Sequence, residues 1–182
     1  MSTLNVVVLV GSLRKASINL KLAKALIKLG EEKFHANIAN IADLPLFNQD
    51  LESNFPAAAT QLKQDIEKAD AVLFVTPEYN RGPSAAMKNA IDWASRPYGK
   101  NSFAKKPAAI CGASVGAVGT ACAQFALKST LYYLDLVLMG QPEVYLHFKN
   151  DLIDDHGNIA NADTQKFLQS FVDQFVRWVH IY

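Results

Sequence analysis

The stretch LNVVVLVGSLRKASINLKLAKALIKLG, near the start of the chain, constrains the fold more than any other. Leu4 to Val10 is an almost unbroken apolar, β-branched run, the pattern of a strand buried on both faces of a parallel sheet. Gly11 breaks it. Leu22, Leu26 and Leu29 then recur at helical spacing with Lys21, Lys24 and Lys28 between them, and Gly30 stands where a helix C-cap belongs. A strand, a short polar turn and a helix start make a natural anion site, because the first turn of a helix offers unpaired N–H groups and a partial positive charge.

The same alternation continues along the chain. Periodicity predicts a weak strand over 36–41, a Pro- and Asn-bearing connection, a helix over 57–68 and a buried strand over 71–75. A loop, TPEYNRGPS, then precedes a helix over 84–95 and a short turn through Tyr98 and Gly99. A strand over 107–111, the glycine-rich turn GASVGAVG, a helix ending near 134 and a strand over 136–139 follow. A closing helix over 164–179 sets Phe167, Phe171, Phe175 and Trp178 on one face. Strands alternating with helices predict an α/β, flavodoxin-like three-layer sandwich around a five-stranded parallel sheet of order 2-1-3-4-5.

Half of the 182 residues are hydrophobic, enough for one substantial core and too few for two, so residues 1–182 read as a single domain. A net charge of +1 provides no field to draw in nucleic acid, and no basic run is interleaved with aromatics. Neither a leader-like segment nor a bilayer-length apolar run is present, so a cytoplasmic protein without membrane contact is expected. Cys111 and Cys122 make no disulfide framework and read as small buried hydrophobes, with nucleophilic chemistry the lesser alternative. His35, His147, His156 and His180 lack metal-ligand spacing, and DDHGN reads as a turn, so no metal is expected. Lys88 and Asp92, four apart, read as a surface pair, and Trp93 as core or a subunit interface.

In the predicted strand order, the loops after strands 1, 3 and 4 lie side by side at the carboxyl edge, where the sheet reverses direction and ligands bind. The first loop fails as a Walker A motif, since position 16 is Ala and Lys15 precedes it. It also fails as a dinucleotide fingerprint, since position 13 is Leu. Ser12, Arg14, Ser17 and Asn19 remain, a set of hydroxyls, an amide and a guanidinium suited to a terminal monophosphate. Ser17 also reads as a helix N-cap, and Lys15 as solvated. In the second loop, Pro77 and Tyr79 offer a wall for a planar heterocycle, with Glu78 and Asn80 along its edge; Glu78 reads first as a partner for Arg81 or for another subunit. Gly112, Ser114 and Gly116 in the third loop either let backbone N–H groups approach a ligand or keep the loop small for packing.

The segments GSLRKASIN, TPEYNRGPSAAMKNAIDWAS and GASVGAVG together resemble the signature segments of the NADPH-dependent FMN reductase family, flavodoxin-like enzymes that include quinone, chromate and azo-dye reductases. PEYN followed by KNAIDW is the most specific part. The resemblance implies that Ser12, Arg14, Ser17, Ile18 and Asn19 hold the FMN phosphate. It implies further that Pro77, Glu78, Tyr79, Asn80 and Arg81 line the isoalloxazine, and that Gly112, Ser114 and Gly116 complete the pocket. Two positions depart from the family pattern: Ser84 stands where members often have Pro, and TACAQF lacks an Arg that some relatives carry.

The implied activity is two-electron, ping-pong transfer from NAD(P)H to quinones or similar small acceptors, with the chemistry carried by FMN rather than by a catalytic side chain. An electron carrier of the flavodoxin type is the alternative, and the near-neutral charge argues against it. A homodimer or homotetramer is expected from the apolar groups of AAMKNAIDWAS, the Tyr98 turn and the helix over 125–133.

Overall fold

The computed structural model describes residues 3–149 and 151–182. Strands β1 (Leu4–Val10), β2 (Phe34–Ile38), β3 (Ala71–Val75), β4 (Pro107–Ser114) and β5 (Val137–Leu138) lie in the order β2-β1-β3-β4-β5, all parallel, and β6 (Val144–His147) also pairs with β4. Helices α1 (Ile18–Leu29) and α5 (Ala162–Ile181) cover one face of the sheet. The other face carries α2 (Ala57–Lys68), α3 (Ala85–Ala94) and α4 (Ala121–Tyr133).

The two faces have separate cores because successive strand residues point in opposite directions. Val6, Val8 and Val10 pack with Leu22, Leu26, Phe171 and Phe175, whereas Val7 and Leu9 pack with Leu62, Ile66, Met87 and Trp93. Each such side chain, fully buried, contributes about 1.5–3 kcal/mol of transfer free energy. Trp93 is therefore core, its indole N–H donating to the Pro45 carbonyl at 2.7 Å between the rings of Phe47 and Phe55.

The predicted sheet order holds, with one departure that bears on function. The fifth position is filled by two segments: β5 pairs with Pro107 and Ala108, and β6 with Cys111 through Ser114. Gly140 and Pro142 interrupt the run between them, and proline has no N–H to give a ladder. Pairing with β6 carries β4 three residues past the predicted end at 111, out to Ser114 at the carboxyl edge. The Phe148 N–H closes that end on the Ser114 carbonyl at 2.8 Å. Among the described residues, no helix is long and apolar enough to cross a membrane.

Candidate cofactor site

Three loops meet at the carboxyl edge around a cleft with a volume of 150 Å³. From the first come Ser12, Arg14, Ser17, Ile18 and Asn19; from the second Pro77, Glu78 and Tyr79; and from the end of β4 Ala113, Ser114 and Val115. A larger groove of 620 Å³ lies at the opposite edge, between the end of α1 and α5. Its Lys33 is already paired with Asp173, and its Lys28 with Asn158 at 2.6 Å. The chemistry converges at the smaller cleft.

The first loop presents donors without acceptors. The N–H groups of Ile18 and Asn19, in the first turn of α1, have no partner among the described residues. Ser17 caps α1, its buried Oγ accepting the Leu20 N–H at 3.1 Å, and this leaves the hydroxyl proton free to donate. The side chains of Ser12 and Arg14 make no hydrogen bond to the described residues. Two helix N–H groups, two hydroxyls and a guanidinium around one point suit the tetrahedral oxygens of a monophosphate dianion.

Asn19 has a different job. Its buried amide donates to the Ala113 carbonyl at 2.9 Å and accepts the Ala113 N–H at 2.8 Å, tying the start of α1 to the end of β4. Its side chain fixes the distance between the first and third loops, and its backbone N–H is the part that faces the cleft. Gly11 lets the first and second loops touch, since a Cβ there would stand 2.9 Å from Pro77 Cδ and 3.1 Å from Ser84 Oγ.

The second loop is a two-residue hairpin. Tyr79 and Gly82 exchange backbone hydrogen bonds of 3.0 Å each, and Asn80 and Arg81 between them take φ of 51° and 64°, the pattern of a type I′ turn. Asn80 and Arg81 occupy its tip, outside the cleft, while Pro77 and the half-exposed Tyr79 form the wall. Glu78 is structural: Oε1 lies 3.6 Å from Arg81 Nη1, and Oε2 accepts the Ala123 N–H at 3.1 Å, in the first turn of α4. That bond replaces the cap that Thr120 does not provide.

In the third loop Ser114 lines the cleft and its Oγ accepts the Gly116 N–H at 3.1 Å, while Gly116 itself lies outside the lining. Of the two readings of this loop, Gly112 answers to packing. A Cβ there would meet Thr120 Oγ1 at 2.1 Å and the Thr76 carbonyl at 2.2 Å, so this glycine serves packing. Cys111 is wholly buried and its thiol is pushed up by desolvation, which removes it as a nucleophile; Cys122 is only half-buried. Beyond the loop, Glu143 is held low by Lys128, and burial together with Glu143 pushes the Tyr145 hydroxyl up to about 12. This cluster braces β6, whose His147 pairs with Ser114 at the end of β4. Ala113 and Val115 had no sequence signal, because an apolar side chain says nothing of the backbone it brings to a ligand.

The profile of the NADPH-dependent FMN reductase family matches residues 4–151. The chain is 49% identical over 176 residues to a 2-hydroxy-1,4-benzoquinone reductase of Burkholderia sp, covering 97% of this chain and 96% of the relative. It is 44% identical over 178 residues to a quinone reductase of Pseudomonas putida, covering 97% and 95%. Among solved structures it is similar to FerB, a flavoenzyme NAD(P)H:(acceptor) oxidoreductase from Paracoccus denitrificans. There the TM-score is 0.94 at 47% identity, and 98% of each chain is covered.

Proposed function

The chain belongs to the NADPH-dependent FMN reductase family, and from that premise we propose that it is an FMN-dependent NAD(P)H oxidoreductase that reduces quinones. The observation that carries this reading is the meeting of Ser12, Arg14 and Ser17 with Pro77, Tyr79 and Ser114 in one cleft at the edge where the sheet reverses. FMN, when bound, supplies the chemistry, taking a hydride from the nicotinamide and passing two electrons to the acceptor.

The protein's part is position and electrostatics. The Ile18 and Asn19 N–H groups and the Ser17 hydroxyl would donate to the phosphate, and the Arg14 guanidinium would neutralise its charge. Pro77 and Tyr79 provide a rigid wall for the ring system. Tyr79 and Val115, both exposed and lining the cleft, give it an apolar character that suits a flat quinone. Nicotinamide and acceptor would enter this one cleft in turn.

Reduced nicotinamide should bleach the bound flavin without oxygen, benzoquinone should restore the colour, and steady-state plots against both substrates should be parallel. Failure of both NADH and NADPH to bleach the flavin removes the reductase reading, and intersecting plots remove the shared site.

The same reading includes an oligomer of two or four chains. Phe125, Tyr132 and Tyr133 lie along one stripe of α4 and are 76%, 81% and 79% exposed, and Tyr98 is 84% exposed. Aromatic groups left in water in this number support a second copy as their cover, and sedimentation as a monomer at micromolar concentration would oppose it.

A further inference from the structure

Thr76 is a polar residue with no exposure, directly after β3 and directly before the wall of the cofactor cleft. Its N–H donates to the Cys111 carbonyl at 2.9 Å, and its own carbonyl lies so close to β4 that a Cβ on Gly112 would stand 2.2 Å from it. The backbone is thereby fixed without help from the side chain. The hydroxyl makes one bond of its own, donating to the Pro77 carbonyl at 2.8 Å. Valine has the same shape and would fill the same space with no polar group to satisfy, so what the hydroxyl adds is its hold on that carbonyl.

The carbonyl belongs to the peptide that joins Pro77 to Glu78, and the other end of this peptide is the Glu78 N–H. The peptide is trans, so the N–H points opposite to the carbonyl. It finds no acceptor among the described residues. Glu78 lines the cleft, yet its carboxylate is withdrawn to Arg81 and to the Ala123 N–H, and its side chain is only 10% exposed. What Glu78 offers a ligand is therefore its backbone. Proline fixes its own φ but leaves ψ, the torsion that turns this peptide, and the Thr76 hydroxyl takes up that freedom.

We propose that Thr76 is a positioning residue for the flavin: its hydroxyl holds the Pro77 carbonyl on the buried side and so keeps the Glu78 N–H turned to the cleft as a preset dipole. The inference rests on the FMN reading of that cleft and goes beyond it, assigning control of the cofactor's reduction potential to a residue that does not line the cleft. Accepting a hydride brings two electrons and one proton, and so adds one negative charge to the flavin. The positive end of a fixed peptide dipole favours that added charge and need not reorganise when it arrives. Without the hydroxyl the peptide is free to turn, and the negative end of the carbonyl opposes the charge instead.

Redox titration of the FMN-loaded protein against dyes of known potential, without oxygen, tests this with Thr76→Val and Thr76→Ser. Thr76→Val should bind oxidised FMN within about threefold of the parent and reduced FMN about tenfold more weakly, which lowers the two-electron midpoint potential by about 30 mV. Thr76→Ser keeps the hydroxyl and should hold the potential within about 15 mV, a change of threefold or less. A hydroxyl that merely found a partner in the core would move stability and leave the potential alone. An unchanged or raised potential in Thr76→Val overturns the proposal, as does a fall of equal size in Thr76→Ser, which would trace to the lost methyl group. So does a Thr76→Val chain that no longer folds, or that loses both forms of FMN alike, since the hydroxyl then holds the loop rather than the dipole. A parent chain that takes up no FMN contradicts the FMN reading and this inference with it. One that binds FMN at a potential indifferent to the hydroxyl contradicts this inference alone.

Discussion

Helices α1 and α3 both begin on a buried serine whose Oγ accepts an N–H three residues on, Leu20 for Ser17 and Met87 for Ser84. What separates them is the hydroxyl proton. Ser84 spends it on the Gly11 carbonyl at 2.5 Å, closing the second loop against the first, whereas that of Ser17 has no acceptor among the described residues and faces the cleft. The same residue in the same cap therefore holds the protein together at one helix and is left available to a ligand at the other. A binding group is recognised by the half of its hydrogen-bonding capacity that the fold leaves unused.

Ser84→Ala should be the most damaging change to stability. It removes a cap and strands the buried Gly11 carbonyl, together about 2–4 kcal/mol in a urea titration. FMN affinity of the protein that remains folded should change by about threefold or less. A flavin loss as large as that of Ser17→Ala would erase the contrast. Ser17→Ala should cost about 1 kcal/mol of stability and, separately, weaken FMN by about 1–3 kcal/mol, readable by quenching of flavin fluorescence. Arg14→Ala isolates the binding half: exposed and without a carboxylate partner among the described residues, it should leave stability within about 0.5 kcal/mol while weakening FMN on the same scale.

The smallest effect concerns pH. Neither serine titrates, so the contrast should persist unchanged across neutral pH. The acid limb belongs to other groups: Asp173, held below its usual value by Lys33, Asp154, held down by Asn158, and Glu143, held down by Lys128. Because these folded values are depressed, their stabilisation is complete above about pH 4, the unfolded value, and is lost as pH falls through the lower folded ones. Asp173→Asn should therefore lower the melting temperature at pH 6 and flatten its fall toward pH 2.

The contrast between the serines also shows what a sequence discloses. A continuous apolar run marked the bounds of β3, helical spacing of Ala59, Leu62 and Ile66 marked α2, and hydroxyls beside a strand end marked the first loop, because all three signals are local. The hydroxyl proton of Ser84 is not local, since its acceptor lies 73 residues away. The amide of Asn19 is spent on Ala113, 94 residues on, so a side chain read as a phosphate contact holds two loops in register instead. Glu78 was rightly read as a partner of Arg81, but its cap on α4 required the third loop to be in place. β6, at four residues, is too short to stand out by periodicity, and without it β4 would have no reason to reach Ser114.

The central claim is that the first loop is a phosphate cradle. Equilibrium titration with FMN and with riboflavin, which lacks only the phosphate, tests it most directly. The account predicts that FMN binds about a hundredfold more tightly or better, and that Arg14→Ala combined with Ser17→Ala removes most of that margin while riboflavin affinity stays within about threefold. Equal affinity for the two flavins, or a margin that survives in the double variant, would contradict it.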